Sequence, residues 1–117
     1  MNKILKQAFL HEMNVAKKYY KSNDLKNCFS HLERAHVLGQ RNAIPHTINH
    51  WWMFKVGIRR KDFREILGQI ARMAIGGIGS VFNLAPVGNT GGANVWIFKP
   101  MPIPEDLHKI FREAGMD

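Results

Sequence analysis

The sequence predicts an all-α fold made of two packed antiparallel helical hairpins, an irregular C-terminal cover and a short final helix. Apolar residues recur every three or four positions through most of residues 1–75, which is the period of amphipathic helices. Short polar or Pro-containing breaks divide that stretch into four segments, and helices joined by short turns pack as antiparallel neighbours. Residues 76–104 are rich in Gly, Asn and Pro and predict an irregular packed segment, whereas 105–114 predict the last helix. A chain of 117 residues suits a single domain.

The first hairpin is predicted over residues 3–38. We expect helices over 3–21 and 25–38, separated by a Ser-Asn-Asp turn in which Asp24 caps the second helix. Gly39 should end that helix in a left-handed conformation. The segment AKKYYKSNDLKNCFSHLERAHVL looks like a tetratricopeptide hairpin, but the next two helices do not repeat it at a ~34-residue period. The sequence therefore predicts one repeat-like hairpin and no repeat array.

The second hairpin follows a short connector. Pro45 suits the first turn of a third helix that runs to Arg60. Asp62 is the expected cap of a fourth helix, which begins at Phe63 and continues to Met73 or beyond. The bulky side chains of the third helix are expected to dominate the core: Ile48, Trp51, Trp52 and Val56.

The stretch GNTGGANV, residues 88–95, is similar to phosphate-binding loops only superficially, because it lacks the Walker lysine and serine. A structural role is favoured, with positive backbone φ angles at the glycines and side-chain bonds from the asparagines: Gly88, Gly91, Gly92, Asn89 and Asn94. Three aromatic residues predict that the surrounding segment packs on the helices: Phe82, Trp96 and Phe98.

The formal net charge of +8 is concentrated in the helical part of the chain. Residues 1–72 carry fourteen Lys and Arg against five Asp and Glu, whereas residues 73–117 carry three against four. Such a surface is either a solvated face or a binding surface for a nucleic acid or an anionic membrane. The run RRKDFR at 59–64, together with Arg72, offers positive side chains for phosphate contacts. No groove-reading motif accompanies it, so we expect nucleic-acid binding to be non-specific at most.

Cys28 is the single cysteine, which excludes an internal disulfide framework and predicts a reducing compartment, the cytoplasm. No stretch is long and apolar enough for a signal peptide or a membrane span, so no membrane association is expected. Nucleophilic catalysis has little support, since Ser80 and Thr90 have no adjacent histidine and Cys28 is better placed as a small core residue. We therefore expect a binding protein and not an enzyme.

Histidines and glutamates on successive helices predict a metal site. Glu33 and His36 lie three residues apart in the second helix, and His46 and His50 lie four apart in the third. The connector is centred near residue 42, so an antiparallel hairpin places position 36 level with position 48, between the two histidines of the third helix.

The same counting about the turn at Asn23 sets position 11 of the first helix level with about position 35 of the second. His11 and Glu12 are therefore expected at the end of the first hairpin that carries His36. A mononuclear site would then use three histidines, completed by a further ligand from the first or second helix: His36, His46 and His50 with Glu12, Glu33 or His11. Imidazole and carboxylate suit divalent transition metals, with zinc the first candidate. A metal-dependent enzyme would need, in addition, an open coordination position beside a pocket.

A metal-free polar core is the alternative. Glu12 lies on the apolar stripe of the first helix. Burial of an unpaired carboxylate there would destabilise the fold by several kcal/mol. A network that joins Glu12 to His36 or Arg34 would satisfy this carboxylate without an ion. His31 and His108 lie off the cluster and are expected on the surface.

Five motifs together resemble a family of small bacterial proteins known as a domain of unknown function. They are HLERAHVLGQR, PHTINHWWM, RRKDFRE, GNTGGANV and PMPIPEDL, and they span nearly the whole chain. The resemblance implies a stand-alone cytoplasmic protein, with some members encoded near metal-resistance genes, but it implies no substrate. The histidines that fall in the matching motifs are His31, His36, His46 and His50.

The sequence thus predicts a small bacterial cytoplasmic protein that binds a divalent transition metal through a His/Glu cluster, in metal homeostasis or resistance. The alternative is a tetratricopeptide-like interaction module with a basic surface and a metal-free polar core. In either case the expected partner is an acidic protein or a second copy of the chain.

Overall fold

The computed structural model describes the backbone of residues 1–81, 88–96 and 99–116, and the side chains of these residues except 75–81. Within this part of the chain it contains helices and no strand, which confirms the predicted all-α class. The helices, in chain order, are α1 (Lys3–Lys21), α2 (Leu25–Gly39), α3 (Ala43–Arg60), α4 (Phe63–Val81) and α5 (Glu105–Glu113).

Two antiparallel hairpins make up the fold, as predicted. The helices α1 and α2 form the first, α3 and α4 form the second, and α2 packs on α3 to join them. The C-terminal helix α5 lies against α1, where the Asn2 side-chain amide donates a 3.2 Å hydrogen bond to the carbonyl of Ala114. The predicted cap of α2 is confirmed, since the Asp24 carboxylate accepts from the Asn27 backbone N–H.

Among the side chains that the structure describes, the buried apolar residues come from α1, α2, α3 and α5. The free thiol of Cys28 belongs to this apolar core, and burial raises the pKa of this thiol to about 11. The buried apolar residues are Leu5, Phe9, Met13, Ala16, Cys28, Leu32, Ala35, Val37, Leu38, Met53, Val56 and Leu107.

Most helix ends agree with the prediction, and the end of α4 differs most. This helix continues to Val81, six residues past the predicted end of the helical core at residue 75. Its glycines at 76, 77 and 79 suggested a break. A glycine in a helix costs only about 1 kcal/mol relative to alanine, however, so a helix that is stable elsewhere can continue through them.

Gly39 does not end α2 as a left-handed cap. It remains within the helix, and the following residue, Gln40, has a right-handed φ of −64°. A Cβ atom at position 39 would lie 2.8 Å from the ring of Phe9. The glycine is therefore explained by the close approach of α1 and α2, which a larger residue would prevent.

Of the four side chains that α3 was predicted to bury, Val56 is buried as expected and the other three are not. Ile48 and Trp51 are 44% and 50% exposed, and Trp52 is half-buried in an edge-on contact with Tyr20. Half of the residues on the inward face of α3 are instead polar, since the buried residues are His46, Asn49, His50, Met53, Val56 and Gly57. A hydrophobicity pattern cannot predict this arrangement, because it assigns the apolar side of a helix to the core.

One of the three aromatic residues predicted to pack the segment after α4 onto the helices is exposed instead. Trp96 is 67% exposed, whereas Phe82 and Phe98 lie outside the described residues. None of the helices in the described part of the chain combines the length and hydropathy that a bilayer crossing requires.

Candidate metal centre

Three histidine side chains meet in the interior between the two hairpins. His36 comes from the C-terminal part of α2, whereas His46 and His50 come from successive turns of α3. All three are at most 5% exposed. Their Nε2 atoms face one another, with separations of 2.9 Å (His36 to His46), 3.1 Å (His36 to His50) and 2.9 Å (His46 to His50). We refer to these residues as the histidine triad.

Carbonyl oxygens determine which ring nitrogen carries the proton in two members of the triad. Nδ1 of His36 lies 2.6 Å from the backbone carbonyl oxygen of Asn89. Nδ1 of His50 lies 2.5 Å from the side-chain carbonyl oxygen of Gln69. A carbonyl oxygen only accepts hydrogen bonds, so both Nδ1 atoms must be donors. In the neutral rings the Nε2 atoms therefore carry lone pairs directed at the centre of the triad.

The orientation of the Gln69 amide is itself fixed by two acceptors. Its Nε2 donates to a carboxylate oxygen of Glu65 at 2.6 Å and to the carbonyl of Gly91 at 2.9 Å. The same Glu65 oxygen accepts from the Ala93 backbone N–H at 2.9 Å. This chain of hydrogen bonds runs from a buried carboxylate through Gln69 to His50, which is the kind of support that orients metal-binding histidines.

Two members of the triad, His36 and His50, are held in their neutral state. Burial is the largest cause that lowers the pKa of His36 well below its ordinary value, and the neighbouring His50 and His46 add to it. Burial likewise lowers the pKa of His50 to about 3, with His46 the second cause. Arg72 contributes a smaller lowering effect on both. Neutral imidazole is the form that binds metal ions.

Arg72 has a structural role that differs from the predicted one. Its side chain is buried, and it donates to the backbone carbonyls of Gly68 at 3.2 Å and Val95 at 2.8 Å. The expectation that Arg72 extends the RRKDFR run as a phosphate contact is therefore wrong. It joins α4 to the segment that covers the triad.

The loop at residues 88–95 closes the triad, and its predicted structural role is partly confirmed. Gly88 and Gly91 have φ angles of +76° and +84°, as expected, whereas Gly92 is not among the positive-φ glycines. The Asn89 side chain accepts from the Gly91 N–H and donates to the carbonyls of Trp96 and Lys99. No hydrogen bond of the Asn94 side chain occurs among the described residues.

Gly91 allows the loop to approach the triad. A Cβ atom at this position would lie 2.5 Å from Cδ2 and 2.8 Å from Nε2 of His36. The loop therefore covers the His36 ring directly, while the carbonyl of Asn89 holds its far nitrogen.

Glu12 is paired away from the triad. Both of its oxygens accept from Nε of Arg34 at 3.0 Å, and Nδ1 of His31 lies 3.3 Å from one of them. Arg34 also forms an ion pair with Asp106 of α5. Of the two partners suggested for Glu12 in a metal-free network, Arg34 is correct and His36 is wrong. The turn arithmetic placed Glu12 at the right level, but on another side of the hairpin.

Two further predicted ligands also lie apart from the triad. His11 is exposed on α1. Glu33 is half-buried beside Thr90, and burial is the largest cause that raises the pKa of its carboxyl group. Among the described His, Cys, Asp and Glu residues, the group whose ligand atoms all lie within 4.8 Å of one another consists of His36, His46 and His50.

The other two histidines are not simple surface residues. His31 is half-buried and stacks on Tyr19 with a ring-centroid distance of 5.6 Å. His108 lines a separate cavity of about 170 Å³ between α2 and α5, together with Val37 and Phe111. Neither residue contributes to the triad.

Sequence reasoning missed the groups that orient the triad. Gln69 follows Glu65 by four residues, so both lie on one face of α4 between apolar neighbours, and that pattern could have indicated a buried polar pair. Asn89 acts on His36 through its backbone carbonyl, for which side-chain identity provides no signal.

Comparisons with known proteins identify a family but no close relative. Neither the curated proteins nor the solved structures give a significant match. A family model described as "Protein of unknown function (DUF3703)" matches residues 3–111, more than nine-tenths of the chain. The matched region contains all three members of the histidine triad together with Gln69 and Asn89. The chain therefore belongs to the DUF3703 family, a domain of unknown function.

Proposed function

We propose that this protein binds one divalent transition-metal ion, with zinc the first candidate, through Nε2 of His36, His46 and His50. We further propose that it does so in the bacterial cytoplasm, in metal homeostasis or resistance. The observation that carries the metal proposal is the convergence of three buried imidazole nitrogens, two of which have their lone pairs directed inward by carbonyl acceptors on the opposite nitrogen.

Without a cation, the contact between Nε2 of His36 and Nε2 of His50 has no satisfactory hydrogen bond. The Nε2 atoms of His36 and His50 lie 3.1 Å apart, a hydrogen-bonding distance, yet both Nδ1 protons are committed to carbonyl oxygens. A hydrogen bond between the two Nε2 atoms would require an extra proton and a buried positive charge, which the lowered pKa values of both rings disfavour. A metal ion satisfies the facing lone pairs without protonating either ring.

The separations suit one ion. Zinc binds imidazole nitrogen at about 2.0–2.1 Å, and the centre of a triangle with edges near 3 Å lies about 1.7 Å from each corner. Nitrogens at these separations are close enough together to act as three ligands of one such ion. The all-nitrogen donor set suits zinc, copper, nickel or iron and disfavours magnesium and calcium.

The alternative function is an interaction module with a metal-free core and a basic surface for an acidic partner. The pairing of Glu12 with Arg34 supports its metal-free part for that one carboxylate. It provides no proton for the contact between His36 and His50, however, and that contact is where the two functions differ. For this reason we favour metal binding.

The test is metal content and metal-dependent stability of protein purified without a His-tag. We expect elemental analysis to find about one transition-metal ion per chain. We also expect zinc added to the apo protein at 100 times its dissociation constant to stabilise the fold by about 2.7 kcal/mol, raising Tm by roughly 11 °C. The variants His36→Ala and His50→Ala should lose this gain.

His11→Ala is the matched control, because His11 is exposed on α1 and lies outside the triad. It should respond to zinc as the parent does. The metal proposal is wrong if the parent binds no transition metal, or if the triad variants retain the full rise in Tm. The first result would leave the interaction module as the better-supported function.

A further inference from the structure

The outer side of the α3/α4 hairpin exposes an unusual number of large apolar side chains. On α3 these are Ile44, Ile48, Trp51 and Ile58, and on α4 they are Phe63, Leu67 and Ile70. Each is between 44% and 74% exposed. We refer to these seven residues as the outer stripe. Isolated exposed apolar residues are common, but a contiguous set of this size marks an interaction surface.

The two halves of the outer stripe lie on the same side of the hairpin. At 100° per residue, the stripe on each helix is centred roughly opposite to the buried side. The buried side of α3 faces α2 through His46 and Asn49. That of α4 faces the 88–95 loop through Glu65 and also faces α3, where Gln69 contacts His50. Because α2 and the loop both lie on the triad side of the hairpin, the two stripes lie away from the histidine triad.

The spacing of the stripe indicates that its occupant is helical. Its members on α4 follow steps of four and three residues, and exposed Ala74 continues the series. On α3 the steps are also four and three as far as Trp51, and Lys55 occupies the next position before Ile58. The Lys55 ammonium lies over the Trp52 ring, 3.8 Å from its centroid, and so does not interrupt the stripe with a free charge. Apolar side chains spaced alternately by four and three residues form the row along which two helices pack at a shallow angle.

The exposed area matches one side of a dimer. A large apolar side chain presents roughly 200 Å² in an extended chain, so the seven together expose on the order of 800 Å². A stable interface buries about 800 Å² on each partner. A second copy of this chain offers the same area with the same seam, so the surface is complementary to itself.

We propose that the α3/α4 hairpins of two copies pack through their outer stripes into a two-fold four-helix bundle, with the hairpins antiparallel. Charge determines the orientation. The turn between α3 and α4 carries four exposed basic residues: Arg59, Arg60, Lys61 and Arg64. A parallel arrangement would bring the two basic turns together. The antiparallel one separates them by roughly the length of an 18-residue helix, about 27 Å, well beyond the Debye length of about 8 Å.

The oligomeric state in solution tests this interface. Light scattering should give twice the chain mass of 13.4 kDa for the parent. Leu67→Glu places a charge at the centre of the stripe on both copies, and we expect it to weaken the dimer by about 100-fold or more. Leu10→Glu is the matched control, since Leu10 is a 45% exposed leucine on α1, outside the stripe.

Circular dichroism of Leu67→Glu should show an unchanged helix content, because the substituted side chain is 67% exposed. Raising the salt concentration should strengthen the dimer, since both copies carry a net charge of +8. A parent that is monomeric at 100 µM would overturn the proposal. A dimer that Leu67→Glu leaves intact would also overturn it, because the interface would then lie elsewhere.

Cross-linking tests the orientation. In the antiparallel bundle the middle of α4 lies against the middle of α4 in the second copy. The first residues of the two α4 helices lie at opposite ends of the bundle. In the Ile70→Cys variant, a short bis-maleimide should therefore link the new cysteines of the two copies. In the Phe63→Cys variant it should not. The native Cys28 is fully buried and does not compete for the reagent. Linking of Phe63→Cys in preference to Ile70→Cys would rule out the antiparallel arrangement.

Discussion

The chemistry of the site is decided by single hydrogen bonds on the far side of two imidazole rings. Asn89 and Gln69 each offer a carbonyl oxygen to an Nδ1 atom, and this leaves the inward nitrogen without a proton. If either acceptor were a donor, the tautomer would reverse and an N–H would point into the triad. The proposed metal affinity therefore depends on residues that would never contact the ion.

Gln69→Leu tests this dependence directly. The change removes the acceptor for His50 Nδ1 while keeping a side chain of similar size, so His50 is no longer held in the tautomer that binds metal. We expect the zinc dissociation constant to rise by about 10–100-fold, measured by competition with a chromophoric chelator. Gln7→Leu, at an exposed position on α1, should leave the affinity unchanged. Equal affinities for the two variants would show that the amide does not support the site.

Packing between elements explains two features that local sequence patterns did not predict. Gly39 lets α1 and α2 approach at Phe9, and Gly91 lets the 88–95 loop approach α2 at His36. In both cases the glycine is required by a neighbouring element, and nothing in its own helix or turn reveals that requirement. The polar inward face of α3 is similar, because its histidines are tolerated only where α2, α4 and the loop provide their partners.

Gly91→Ala should damage the site through contact between the loop and α2. Gly91 and Gly115 both have a positive φ, +84° and +77°, so alanine at either position incurs a backbone cost of about 1 kcal/mol. At position 91 the new Cβ would also meet the His36 ring at 2.5 Å, whereas at 115 nothing lies within 4 Å. We expect zinc titration to show reduced affinity for Gly91→Ala and parental affinity for Gly115→Ala. Parental affinity in both would mean that the loop moves aside without disturbing His36.

At the scale of the whole molecule, the buried neutral histidines link folding to pH. The pKa values of His36 and His50 are lowered in the folded state, that of His50 from 6.5 to about 3, first by burial and then by their neighbours. Below pH 6.5 the unfolded chain therefore binds more protons than the folded one, and stability falls as the pH falls.

We expect the free energy of unfolding of the apo protein to decrease between pH 7 and pH 5 by about 2 kcal/mol for each histidine that stays neutral. Urea denaturation of chelator-treated protein at a series of pH values measures this loss. The exposed-histidine variant His11→Ala should show the same slope as the parent. A stability that is constant over this range would mean that the triad is protonated or accessible to water in the folded protein.

The sequence by itself determined the helices and their order, because helix periods, caps and breaks are local and depend on neighbours three or four residues away. It also determined that His36, His46 and His50 meet, since a short connector forces two helices to pack antiparallel and counting from the turn sets their level. Only the tertiary structure decided which face each residue occupies and what lies behind it. Glu12 was counted to the right level yet pairs with Arg34, α3 turns its histidines inward and Trp51 outward, and Asn89 and Gln69 come from distant segments to set the tautomers. The rotation of each helix about its axis depends on how all the elements pack together. So do contacts between residues that are 19 to 53 positions apart in the chain, and a local sequence pattern therefore cannot predict either.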